Sequence, residues 1–178
     1  MKEKIHIFGA SGSGTTTLGA ALAKVLPHTQ FDTDNYYWEN KFTRKRPVPE
    51  RRKILNEDLS KCKNWILSGA LCGWGDYLRS YFDLVIFLWI PQDIRLERLR
   101  EREFLRYGNQ ILPHGSKYDQ FKTFIEWASL YDNAGMEVRS KTLHEHWMEE
   151  LPCPVLRIEG DYSVEERVNI VLGYLNDH

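Results

Sequence analysis

Gly9-Ala10-Ser11-Gly12-Ser13-Gly14-Thr15-Thr16-Thr17 follows the apolar run Ile5-His6-Ile7-Phe8 and opens a helical pattern from Leu18 to Leu26. Strand, glycine-rich loop and helix, in that order, are what a phosphate-binding loop requires. Glycines let backbone N–H groups turn inward around phosphate oxygens, and the helix N-terminus adds a positive partial charge behind them. Gly9, Gly14 and Thr16 fit the spacing G-x-x-x-x-G-K-[ST], and the lysine position holds Thr15. A lysine there reaches the β- and γ-phosphates and offsets charge that grows in the transition state. Threonine donates one hydrogen bond and carries no charge. Phosphoryl transfer would therefore need a cation from elsewhere in the chain. Without one, the loop reads as a nucleotide or phosphate binder with little catalysis.

Outward from the loop, the chain alternates. Short apolar runs at Ile5–Phe8, Gln30–Asp34, Trp65–Ser68, Leu84–Ile90 and Val155–Ile158 read as strands. Leu84–Ile90 is continuous and uncharged, which suits a strand covered on both faces. Helical spacing joins them at 18–26, 51–62, 93–106, 119–131, 137–150 and from Val164 onward, with a short helix expected at 76–81. Ser163 and Glu166 form a capping box at the start of the last helix. Pro47 and Pro49 are expected to stop regular structure across the polar, aromatic and basic stretch 35–50, and Gly108, Pro113 and Gly115 to make 107–117 a loop. Five strands alternating with helices predict an α/β domain on a parallel sheet.

The 178 residues suffice for one domain with a sizeable core, and 42% hydrophobic with 28% charged residues reads as globular. A formal net charge of −1 argues neither for nor against a nucleic-acid partner. Cys62, Cys72 and Cys153 form no C-x-x-C pair, which fits reduced thiols in the cytoplasm. The apolar run after Met1-Lys2-Glu3-Lys4 is too short for a signal peptide, and the run ending at Pro91 is far below membrane-spanning length. A cytoplasmic protein with no membrane partner is expected, its oligomeric state left open.

Four further groups carry candidate chemistry. Asp32 and Asp34 sit at an expected strand end, where residues two apart point the same way. Ligands bind outside the carboxyl ends of such strands. One carboxylate can therefore face a hydrated Mg²⁺ and the other a substrate hydroxyl, although Asp is also an ordinary turn former. Arg95, Arg98, Arg102 and Arg106 follow helical spacing and form either a stripe of positive charge beside the cleft or a solvated face paired with Glu101 and Glu103. Lys41, Arg44, Lys45, Arg46, Arg51, Arg52 and Lys53, with Tyr36, Tyr37, Trp38 and Phe42, form a basic and aromatic cluster. It suits a substrate site, a solvated insertion or a single-stranded nucleic-acid patch. His144 and His146 point to different faces of their helix and make no metal pair.

With these motifs quoted, the pattern resembles the adenylate kinase-like P-loop kinases, which include nucleoside, nucleotide and shikimate kinases. The loop Gly9–Thr16 resembles theirs except at Thr15. Asp32-Thr33-Asp34 resembles the Asp-x-Asp of the shikimate kinase branch, and Ser68-Gly69-Ala70 lies where that branch has a glycine-rich turn. Pro91, Arg98 and Arg102 resemble the element preceding the mobile lid, whose arginines contact nucleotide phosphates. Arg139 resembles a further phosphate-binding arginine on the helix after the lid. More narrowly, the loop looks like a bacterial adenylate kinase-related, topology modulation protein-like group. That label hints at DNA, but no DNA-binding motif is present.

The expectation is a three-layer P-loop fold over 1–178, with a five-stranded parallel sheet, a substrate-side insertion at about 35–62 and a lid at about 103–120. ATP (or GTP) with Mg²⁺ would phosphorylate a small nucleoside, nucleotide or other hydroxylated metabolite. Gly9, Ala10, Ser11, Gly12, Ser13, Gly14, Thr15, Thr16 and Thr17 would bind nucleotide, with Thr16 and Asp32 at the metal. Asp34, Arg98, Arg102 and Arg139 would be catalytic, and Asp34, Arg44, Arg51 and Gly69 would meet the acceptor. The alternatives are a nucleotide-binding regulatory protein and a nucleic-acid-associated protein.

Overall fold

The computed structural model describes residues 2–177. The run before the glycine-rich loop is strand β1 (Lys4–Gly9), and the loop leads into helix α1 (Thr15–Val25). Strands β2 (Thr29–Asp32), β5 (Trp65–Ser68), β6 (Leu84–Trp89) and β7 (Val155–Glu159) complete a parallel sheet of order β2-β5-β1-β6-β7. The five-stranded parallel sheet read from the sequence is therefore the observed one, and β1 lies at its centre. Its two faces explain the unbroken apolar runs. Ile5 and Ile7 pack with Leu18 and Leu22 of α1 and with Val171 of α7 (Val164–Asp177). On the opposite face Phe8 packs with Leu55 and Leu59 of α3 (Val48–Leu59) and with Trp147 of α6 (Lys141–Glu149). Alternation along a strand sends neighbouring side chains to opposite layers, and here both layers are dry.

The expected capping box is present: the Ser163 N–H donates to Glu166 Oε2 at 2.7 Å and the Glu166 N–H to Ser163 Oγ at 3.2 Å. Other local expectations are corrected. Stretch 35–50 is not irregular. It holds one turn of helix, α2 (Asp34–Tyr37), and an antiparallel hairpin of β3 (Trp38–Asn40) and β4 (Arg44–Lys45). Pro47 and Pro49 start α3 instead of stopping structure: Pro47 is its N-cap and Pro49 sits in its first turn. A missing N–H costs nothing at those positions. Residues 76–81 are a 3-10 helix, and α4 (Gln92–Tyr107) is followed by a second one at Gly108–Ile111 before α5 (Tyr118–Ser129). Helix α6 begins at Lys141, where the Ser140 side chain accepts from the Leu143 N–H, so Arg139 lies ahead of the helix and not on it. Among the described residues no helix is long and apolar enough to cross a membrane.

Two histidines are locked into the core beneath the central strand. His6 and His144 are both 0% exposed. His6 Nδ1 donates to the Leu67 carbonyl at 2.8 Å, and its ring stacks on Phe8 and Phe82. His144 Nδ1 pairs with the Tyr131 hydroxyl at 2.8 Å. Burial lowers His6 to about 4, against the opposing pull of the Leu67 carbonyl, and lowers His144 to about 3 with help from the Arg139 charge. Both stay neutral in the fold, while the unfolded chain takes up their protons below about pH 6.5. Stability is thus complete above that pH and falls as pH drops toward the folded values, by up to about 1.4 kcal/mol per pH unit for each ring. Urea unfolding at pH 7 and pH 5 is expected to show a clear loss at pH 5. His6→Phe should reduce that loss, and an unchanged pH slope in the variant would contradict the assignment.

Candidate functional site

The carboxyl ends of β1, β2 and β5 converge on one cavity of about 430 Å³. Its floor begins where β1 ends. A Cβ on Gly9 would collide with the backbone carbonyl of Leu88 on β6 and sit 2.7 Å from Ser13 Oγ, so the loop leaves the sheet through a position only glycine can fill. The Ser13 N–H donates to the Ala10 carbonyl at 3.1 Å, which tightens the turn. Gly14, at φ 88°, is the N-cap of α1, and its carbonyl accepts the Leu18 N–H at 2.9 Å. That left-handed conformation is open to glycine at little cost. Gly9, Ala10, Ser11, Gly12, Thr15 and Thr16 line the cavity. Ser13 is fully buried beneath the loop, and Thr17 is exposed on α1.

Asp32 and Asp34 both line the same cavity, for a different reason from strand alternation. Strand β2 ends at Asp32, and Asp34 opens the α2 turn. The Asp34 N–H donates to Asp32 Oδ1 at 2.9 Å, folding the two carboxylates onto one wall. Thr16 Oγ1 donates to Asp32 Oδ2 at 2.6 Å. This hydroxyl–carboxylate pair beside the phosphate loop is the kind of hard oxygen set that magnesium takes together with phosphate oxygens. Among the described residues no cluster of three His, Cys, Asp or Glu side chains suggests any other metal site. Shelter by the cavity walls raises the Asp34 carboxyl above the usual range, and the Asp32 charge adds to this. Arg139, Lys41 and Arg102 pull the other way.

Positive charge reaches the cavity from several elements: Lys45 on the hairpin, Arg102 and Arg106 on α4, Lys117 before α5, and Arg139 before α6. Arg102 and Arg106 share Glu103 Oε1, at 3.0 and 3.1 Å. Arg139 lies 5.4 Å over the Trp127 ring, and burial lowers its pKa while Asp34 opposes that shift. Aromatic rings make up much of the remaining wall. Tyr37, Trp38 and Phe42 stand on the α2–hairpin side, and Phe121, Phe124 and Trp127 stand on α5. The Arg106 guanidinium lies 4.4 Å over Phe42, joining the hairpin tip to the end of α4.

Some residues expected at the site stand elsewhere. Of the arginine stripe, Arg95 is 1% exposed and donates to the Ala128 carbonyl at 3.0 Å, inside the α4–α5 packing. Arg98 is held 2.5 Å from Asp161, off the cavity wall. One helix cannot aim all four arginines into one cavity once its inner edge packs on α5. Arg44 is exposed and pairs with Glu39 at 2.8 Å. Arg51 is buried, donates to the Arg46 carbonyl at 2.6 Å and stacks 3.9 Å from the Tyr37 ring, so it backs an aromatic wall instead of meeting a ligand. The basic run 41–53 is thereby divided among ion pairs, the core and the cavity. Gly69, Arg102 and Arg139 do line the cavity. The α5 aromatics are the main residues that sequence reading missed. Phe121, Phe124 and Trp127 recur every three residues, which was a visible signal. Such a stripe is ordinarily core, and only the tertiary structure turns it toward an opening.

With this geometry in hand, comparison with known proteins gives three findings. A family model described as "AAA domain" matches residues 5–108. The "Uncharacterized protein YqaC" of Bacillus subtilis (strain 168) is 72% identical over 178 residues, covering 100% of both chains. Among solved structures, a shikimate kinase from Acinetobacter baumannii in complex with shikimate aligns at a TM-score of 0.59 and 17% identity, covering 98% of this chain and 93% of that one. A deoxyadenosine kinase from M. mycoides with bound dATP aligns at 0.59 and 17%, covering 97% and 99%. At these identities the likeness speaks to the P-loop kinase fold.

Proposed function

The chain belongs to the AAA domain family, and from that premise we propose that it is an ATP-dependent phosphotransferase, of the adenylate kinase-like kind, for a small acceptor combining a flat ring with an anionic group. A nucleotide fits that description, whereas a nucleoside supplies the ring alone and a polyol supplies neither. One observation carries the reading: a single cavity joins the phosphate loop to Asp34 between aromatic walls and five cationic side chains. Rings bind aromatic faces, and guanidinium groups bind phosphate or carboxylate in pairs of hydrogen bonds. The α2 turn and the hairpin, within about 35–62, form the acceptor side, backed by α3. The segment at about 103–120 is a lid carrying Arg106 and Lys117 over it.

In this reading the loop amides and the start of α1 hold the ATP phosphates. Thr16 and Asp32 would hold Mg²⁺, which supplies charge neutralisation across the phosphates. Asp34 accepts the proton of the acceptor hydroxyl. The acceptor oxygen bonds to the γ-phosphorus, the bond to the β-γ bridging oxygen breaks, and ADP leaves. Arg102 and Arg139 stabilise the transferring group in place of the lysine absent at Thr15.

A coupled ATPase assay tests this with a panel of nucleosides, nucleoside monophosphates, shikimate and gluconate, and with Thr15→Lys run beside the wild type. Turnover that depends on a ring-bearing acceptor is expected. Thr15 supports a second reading, a nucleotide-binding protein of little activity. ATP binding without product across the panel, in both proteins, would establish that one instead.

A further inference from the structure

The five cations named so far line the cavity onto which the phosphate loop opens. A buried one touches the loop from behind. Arg167, on the first turns of α7, is 4% exposed. Its Nη1 donates to the Ser13 carbonyl at 2.8 Å, and Nη1 would lie 3.0 Å from a Cβ placed on Gly14. Its Nε has no hydrogen-bond partner. The charged groups around it are Arg98 and Asp161, which pair with each other at 2.5 Å, so neither is committed to Arg167 alone. Burying a guanidinium without a dedicated carboxylate is expensive. Simple packing of α7 on α1 would be served as well by an uncharged side chain.

We propose that Arg167 is a positioning residue for the phosphate loop, and that its buried charge takes over part of the role that lysine would have at Thr15. This rests on the reading of Gly9–Thr17 as the ATP phosphate site. Across a trans peptide the C=O and N–H point in opposite directions. Anchoring the Ser13 carbonyl to Arg167 therefore turns the Gly14 N–H away from α7, toward the side where phosphate arrives. The same guanidinium polarises that peptide and places positive charge directly behind it, where low dielectric strengthens its reach. Arg95 makes the weaker, parallel contact on the other flank, with Nη1 3.5 Å from the Ser11 carbonyl. Two buried arginines thus contact backbone carbonyls of the loop.

Titration calorimetry with inorganic tripolyphosphate and with ATP, on wild type, Arg167→Met and Arg167→Lys, tests the proposal, with thermal unfolding measured on each protein. Met is expected to weaken tripolyphosphate binding on the order of tenfold. Lys, which keeps the cation and a donor for Ser13, should stay within about threefold of wild type, although both variants lose thermal stability. If Met binds like wild type, or Lys falls as far as Met, the positioning role is overturned and Arg167 is a packing residue. If Met does not fold, Arg167→Gln, which keeps a donor but no charge, replaces it: a loss of about tenfold upholds the role given to the buried charge, and binding like wild type overturns it. Wild type that binds neither probe overturns the phosphate-site reading itself, and this inference with it.

Discussion

Asp34→Asn is expected to lower phosphoryl transfer by about a thousandfold and to leave ATP affinity within about twofold of wild type. The two halves of this result have separate causes. Asparagine keeps the size of the side chain, and it keeps the backbone N–H that donates to Asp32 Oδ1. The α2 turn, the Thr16–Asp32 pair and the phosphate loop are therefore undisturbed. Proton acceptance from the acceptor hydroxyl is what is lost. The cavity walls and the Asp32 charge already hold Asp34 above an ordinary carboxyl, which makes it a stronger proton acceptor once ionised. A raised value also sets the pH profile. Activity is expected while Asp34 is ionised and should be lost as pH falls through its raised pKa, which would put the acid limb above the pH where a free aspartate protonates. Single-turnover rates and ATP titrations on both proteins check the prediction. A variant with an unchanged rate would remove Asp34 from the chemistry. A variant with an unchanged acid limb would assign that limb to another group.

Gly9→Ala has the largest expected effect on the fold, a loss of about 3 kcal/mol together with nucleotide binding. The new methyl would meet the Leu88 carbonyl of a neighbouring strand, in register with Gly9 across the β1–β6 ladder, and Ser13 Oγ on the other side. A flexible side chain could swing aside. A carbonyl in the middle of a sheet cannot move without disturbing the ladder on both sides. Relief has to come from the loop itself, which pulls the amides out of place. Gly173→Ala is the matched control, because a Cβ there meets nothing within 4 Å and α7 is helical. That variant gains up to about 1 kcal/mol from the unfolded chain's lost freedom. Equal urea midpoints for the two variants would show that the Gly9 approach carries no weight.

The arrangement of elements was legible for physical reasons that act within a few residues. Ile5–Phe8, Leu84–Trp89 and the other short runs were readable because a strand buried on both faces has to be apolar throughout. The loop was readable because Gly9 and Gly14 occupy backbone conditions that few other residues tolerate. Asp32 and Asp34 were found at the right place with an incomplete reason: a capped turn, not strand alternation, brings them together. Side-chain aim was less readable. Arg98 and Arg102 are equivalent in helical spacing, yet Asp161 takes one while the other faces the cavity.

From local pattern alone, then, the chain determined a parallel α/β sheet with a phosphate loop after its first strand, and the threonine at that loop's lysine position. Only tertiary structure decided which cations reach the cavity and the loop. Lys45, Lys117 and Arg139 reach the cavity from three separate segments, and Arg167 reaches the loop from 154 positions away in the chain. Glycine spacing and apolar periodicity follow from sterics and burial within one element, so they leave a trace in sequence order. The direction of a long charged side chain depends on which neighbour takes up its charge, and that neighbour exists only once distant elements pack.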